Sequence, residues 1–146
     1  MTNSRQKGKR GERAWRDELR DAGFVKSYRG QQFQGGTDSP DVVCPELPGI
    51  HFEVKYTQRL DLYGAILQAV NDAKSSDKIP VVAHKRNNCE WLVTMQAGNW
   101  LKMIKDAGYA QPATCKHCNS SKIIKFGFDE KTFQRYRCTE CKKTFE

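Results

Sequence analysis

The chain has no run of 18 or more apolar residues, so it offers no segment able to cross a membrane as a helix. Its first residues are polar and basic and lack an apolar core, so no secretory signal is expected. Acidic residues are in short supply: 17 Asp and Glu stand against 25 Lys and Arg, a formal net charge of +8. With a pI of about 9.3, that imbalance points to a polyanionic partner. Cysteine is present, but not in a pattern that demands disulfides. Four of the six cysteines form CxxC pairs, which in an intracellular protein read as metal ligands. A length of 146 residues accommodates one modest domain, or one domain with a small module beside it.

The most informative stretch runs from Asp38 to Lys55, with its flanks. Val42-Val43-Cys44 is a short apolar run, Pro45-Glu46-Leu47-Pro48-Gly49 is turn chemistry, and Ile50 to Tyr56 is a second strand-prone run. A hairpin centred on Leu47 pairs Val42 with Phe52 and sets Asp41 opposite Glu53. Opposed side chains on one face lie about 4.5–5.5 Å apart, so the two carboxylates repel unless a cation sits between them. Lys55, two residues beyond Glu53, projects from the same face. The alternative to a functional site is a surface hairpin with a cross-strand charge cluster.

The flanking segments predict a mixed α/β fold. Residues 2–22 form a basic helix with Trp15, Leu19 and Ala22 on its inward face, and Gly23 ends it. Glu12 falls on that same face, either as an acid favoured by the helix dipole or as a third carboxylate of a metal site. Lys9, Arg10, Arg13 and Arg16 offer contacts to phosphates. Residues 24–29 read as a strand and 30–37 as a Gln- and Gly-rich loop, with Arg29 and Gln32 as candidate DNA contacts and Ser39 a hydroxyl beside Pro40. Residues 61–75 form a helix whose apolar stripe is core packing, with Gln68 at its edge, exposed or reaching the site. Residues 79–83 and 90–95 are strands joined by a turn at Asn87-Asn88, and 99–107 is a last helix. The expected architecture is a mixed β-sheet flanked by helices.

Near the C-terminus, Cys115-Lys-His-Cys118 and Cys138-Thr-Glu-Cys141 are separated by nineteen residues, the spacing of a zinc ribbon. Four thiolates give a closed structural Zn²⁺ site, with His117 a fallback ligand. So small a module cannot bury enough surface to fold alone, and metal supplies the missing stability. Strands over 122–128 and 133–138 flank a turn at Asp129-Glu130. Phe133, Arg135 and Arg137 share a face suited to phosphates and base stacking, or to protein contacts. Residues 108–113 are the linker. The expected domains are 1–108 and 109–146. Cys44 and Cys89 are left as buried small hydrophobes.

Pro40-Asp41 followed by Glu53-Val54-Lys55 resembles the PD-(D/E)xK nuclease motif. Over roughly residues 4–95, with Glu12 on a first helix, the order resembles the archaeal-type Holliday junction resolvases; QRYRC and KKTF resemble transposase-type zinc ribbons. The resemblance implies a restriction-endonuclease-like fold with Glu12, Asp41, Glu53 and Lys55 catalytic. Mg²⁺ or Mn²⁺ would be held by Asp41, Glu53 and the Val54 carbonyl. It further implies a homodimer that nicks four-way junctions in DNA recombination and repair, in the cytoplasm, a host's if the chain is phage-encoded. The alternatives are a restriction-type or flap endonuclease, or a non-catalytic DNA-binding protein on a nuclease-like fold.

Overall fold

The computed structural model describes residues 4–30, 39–110 and 113–146. The chain divides into two compact units, Met1–Leu101 and Lys102–Glu146. The division falls seven residues before the junction expected at 108/109.

In the first unit, α1 spans Ser4–Asp21. Gly11, Trp15 and Leu19 recur at four-residue spacing, and all three are buried. Gly11 owes its place to a close approach: a Cβ there would lie 2.7 Å from Tyr56 Cβ. The helix closes when the Gly23 and Phe24 amides donate to the Arg20 and Leu19 carbonyls at 3.0 and 2.9 Å. That turn leaves Ala22 exposed, not on the inward face. It also draws Phe24 into a second turn, with the Ser27 amide donating to its carbonyl at 3.1 Å. The strand expected over 24–29 therefore shrinks to β1, Tyr28–Arg29.

Strands β2 (Val42–Val43) and β3 (Ile50–Tyr56) form the expected hairpin, with Val42 paired to Phe52. The turn is held by the Leu47 amide on the Cys44 carbonyl and the Ile50 amide on the Leu47 carbonyl, at 3.0 and 3.1 Å. Helix α2 (Leu62–Ala73) starts at Asp61, whose carboxylate accepts the Gly64 amide at 3.0 Å. It is the crossover to β4 (Ile79–Lys85), which runs parallel to β3, and β5 (Leu92–Thr94) returns antiparallel to β4. The result is a five-stranded mixed sheet in the order β1-β2-β3-β4-β5.

Strand alternation divides the core between the two sheet faces. Phe52, Val54, Val81 and Ala83 pack with Trp15 and Leu19 of α1. Val82, on the other face, packs with Ala65 and Ala69 of α2. A helix on each side of a mixed sheet is the restriction-endonuclease-like arrangement. Gly30 is required at the sheet edge, because a Cβ there would overlap the Pro40 carbonyl. Its amide donates to the Asp41 carbonyl at 2.9 Å, which ties the backbone at Asp41 to the end of β1. Cys44 is buried as expected, whereas Cys89 is exposed, because it closes the turn after β4 beside Asn88, whose φ is +56°. Helix α3 (Ala97–Asp106) buries none of its residues.

In the second unit β6 (Ile123–Phe128), β7 (Gln134–Cys138) and β8 (Thr144–Phe145) form an antiparallel sheet in that order. The first two strands were legible in the sequence; the two-residue β8 was not. No helix among the described residues is long and apolar enough to cross a membrane.

Candidate active site

The hairpin register delivers the acids to one end of β2 and β3. The Asp41 amide donates to the Phe52 carbonyl at 2.9 Å, and the Asp41 carboxylate accepts the Val54 amide at 2.8 Å. Glu53 is 4% exposed. A carboxylate so buried needs a partner, and the Lys55 ammonium donates to its Oε1 at 2.7 Å. The same ammonium donates to Gln68 Oε1 on α2 at 2.9 Å. Glu12 enters from α1, where it accepts from the Arg29 guanidinium at 2.7 Å. Glu12, Ser39, Asp41, Glu53, Val54, Lys55 and Gln68 all line one cleft of about 430 Å³.

The electrostatics of this cleft favour a cation. Burial first, then the charge of Glu53, push the Asp41 carboxyl up to about 7, against the pull of the Val54 amide. Glu53 is also raised, chiefly by burial, while its bond to Lys55 pulls the other way. A divalent ion would reverse both shifts, since it favours the ionised carboxylates. Among the described residues, only Cys115, Cys118, Cys138 and Cys141 bring three or more His, Cys, Asp or Glu ligand atoms within 4.8 Å of one another. The acids thus offer an open site, not a closed cage. Mg²⁺ suits that arrangement, because it binds through one or two carboxylates and keeps several waters.

The cysteine cluster is tighter. Cys115 and Cys141 have their sulfurs 3.5 Å apart, Cys118 and Cys138 3.6 Å. A tetrahedral zinc with bonds of about 2.3 Å places sulfurs about 3.8 Å apart, so the four side chains could hold one Zn²⁺ with little movement. The shifts within the cluster divide: the neighbouring sulfurs help push the Cys118 thiol up to about 12, while a backbone amide favours the Cys138 thiolate. The Cys141 amide donates to the Cys138 sulfur and is the main reason that thiol is pulled down to about 7. His117 is not a fifth member; its ring packs edge-on to Phe145.

The chain matches the model of a family described as phage putative PDDEXK endonuclease over residues 3–143, which takes in both the acid cleft and the cysteines. It belongs to this family. Neither the curated proteins nor the solved structures contain a match to it. Membership supports reading the chain as a PD-(D/E)xK nuclease.

The candidate DNA contacts fare unevenly. Lys9, Arg10 and Arg13 are exposed along α1. Arg16 is tied to its neighbour Asp17 at 2.6 Å. Arg29 is engaged with Glu12, which makes it a support of the cleft rather than a free cation. Gln32 lies outside the described residues. In the second unit, Arg137 is exposed and Arg135 half-buried. Sequence reasoning missed Asp72, which lines the cleft and whose charge acts on Glu53. The signal was present: Asp72 lies four residues after Gln68, on the same face of α2. It also missed Lys7 and Tyr56, which line the cleft from α1 and β3.

Proposed function

We propose that this nuclease is a metal-dependent DNA endonuclease acting on branched DNA, in the manner of a Holliday junction resolvase that works as a homodimer in recombination or repair. The carrying observation is that Glu12 reaches the hairpin acids from α1. One helix thereby contributes a carboxylate to the cleft and the exposed cations Lys9, Arg10 and Arg13 to its surroundings. Cations spaced along one helix suit a DNA backbone, whose many phosphate contacts dominate affinity.

Asp41 and Glu53, with the Val54 carbonyl, are the groups that would hold Mg²⁺ or Mn²⁺. Bound there, the ion would polarise the scissile phosphate and lower the pKa of a nearby water. Lys55 presents its ammonium beside Glu53, placed to orient the attacking water or to meet charge developing on the phosphate. Gln68 holds that ammonium from the α2 side and limits its rotamers. Arg29 holds Glu12 toward the cleft. In a phage setting the reaction would take place in the host cytoplasm.

A cleavage assay on a four-way junction, a flapped duplex and a plain duplex, in one buffer with and without Mg²⁺, tests the reading. Paired nicks in opposed strands of the junction are expected with Mg²⁺, and none in EDTA. Preference for the flap or the plain duplex would replace the resolvase reading with another nuclease. Tight binding with no cutting in Mg²⁺ would favour a non-catalytic DNA-binding protein.

A further inference from the structure

The two faces of the ribbon sheet are unlike. Tyr136 stacks on Phe145 at 5.9 Å between ring centroids, His117 packs against Phe145, and Cys138 is buried, so the side chains of this face cover one another. The opposite face is open. Ile124 is paired directly with Arg137, and Phe126 follows two residues along β6, so the three share it. Ile124 is 51% exposed and Phe126 43%. The Arg137 guanidinium lies over the Phe126 ring, 5.4 Å from its centroid. Arg135 falls on the same face two residues before Arg137, and Phe133, 63% exposed, stands where the chain enters β7. A module so short of core leaves two aromatic rings in water beside two arginines.

Next to this platform is a cleft of about 310 Å³ lined by Ile124, Arg137, Cys138, Thr139 and Lys142, with no acidic side chain. Its two cations have no carboxylate among the lining residues to neutralise them. Residues 113–146 carry eight Lys and Arg against four Asp and Glu. A flat aromatic and guanidinium surface takes the face of a base, and a basic cleft beside it takes a phosphate.

We propose that the open face of the ribbon binds unpaired nucleotides. A base stacks on the Phe126–Arg137 pair and another on Phe133, while a flanking backbone phosphate sits at Arg137 and Lys142. Paired bases cannot reach this platform, because their faces are covered by the neighbours in the duplex. The inference rests on the reading of the chain as a nuclease of DNA, and it names single-stranded segments, as at a branch point or a flap, as what the ribbon holds.

The test uses the full-length, zinc-loaded chain in Ca²⁺ and measures binding, not cutting. The probes are a 12-nucleotide oligothymidylate, an abasic oligomer of the same length that keeps the phosphates, and a 12-base-pair duplex. Wild type is expected to prefer oligothymidylate over the abasic strand by about tenfold or more, the range given by stacking on one or two rings. Phe126→Ala with Phe133→Ala should abolish that preference and leave abasic binding unchanged, and Phe126→Trp should keep it. Arg137→Ala should weaken both single strands and flatten their salt dependence. Zinc content of each variant establishes that the ribbon is intact. Equal binding of wild type to both single strands, or a base preference that survives the double substitution, would overturn the proposal and leave the face to a protein partner. Failure of the nuclease reading would show separately, as absence of Mg²⁺-dependent cleavage with the base preference intact.

Discussion

The two units of this chain solve the same problem with different means. Met1–Leu101 has a five-stranded sheet, a helix on each face and a cluster built on Trp15, Leu19, Val42, Phe52 and Val81. Lys102–Glu146 has a three-stranded sheet, and among its described residues the only fully buried side chains of any size are Cys115 and Cys138. The first is held by apolar burial, which leaves it able to carry buried acids such as Glu53. The second has little to bury, and a metal held by its four cysteines would supply the missing stability. The lesson is that a core frees polar residues for chemistry, while a metal clip at the cysteines would free aromatic residues for the surface.

Removing zinc should divide the units most sharply. Structural zinc in small modules contributes about 10–16 kcal/mol, which is their folding free energy. Chelation is therefore expected to unfold the ribbon and leave the nuclease unit folded. Residue-resolved hydrogen exchange checks this, and protection retained by β6 and β7 after zinc loss would show that the ribbon has its own core. The converse substitution is Trp15→Ala, since Trp15 packs on Phe52 and Trp91 at 5.6 and 5.1 Å. It should cost the first unit about 3–5 kcal/mol, read by denaturant unfolding, with zinc content unchanged.

A smaller effect is expected from Gly11→Ala. The added methyl would press on Tyr56 Cβ, and overpacking of this kind costs about 1–3 kcal/mol. Unfolding midpoints test it; an unchanged midpoint would mean that α1 and β3 can separate without loss. A further effect concerns pH. Asp41 has a folded pKa raised to about 7 from 3.8. Between those values the folded state holds more protons than the unfolded state, so metal-free stability falls as pH rises through that window. Added Mg²⁺ should restore stability increasingly toward pH 7 and above, because it requires the ionised carboxylate. Thermal melts of wild type and Asp41→Asn across pH 5–8 measure this, and the slope should become shallower in the variant, with the share of Glu53 remaining.

Much of this organisation is written locally. The turn chemistry of Pro45 to Gly49 fixes the hairpin register, and the register alone predicts that Asp41 faces Glu53 and that Lys55 joins them. The CxxC spacing likewise announces the cysteine cluster. What the sequence conceals depends on contacts between distant segments. Arg29 reads as a DNA contact, and its pairing with Glu12 stays hidden until α1 brings that acid to it. Gln68 reads as a surface residue and is indeed exposed, yet it meets Lys55 because α2 crosses beside β3. The strand over 24–29 looks extended by composition, but the closing turn of α1 consumes its first half. Asp72 carries no local signal beyond its spacing from Gln68.

The central claim is that the cleft of Asp41, Glu53 and Lys55 cuts DNA while dispersed cations hold it. Single-turnover cleavage of Lys55→Ala in Mg²⁺, beside gel-shift titration of the same variant in Ca²⁺, addresses both halves at once. Loss of one positioned group is expected to slow cleavage by about 10²–10³. Affinity should remain close to wild type, because one cation among many contributes little to a many-phosphate interface. Cleavage by Lys55→Ala at the wild-type rate would contradict the account and move the active site elsewhere.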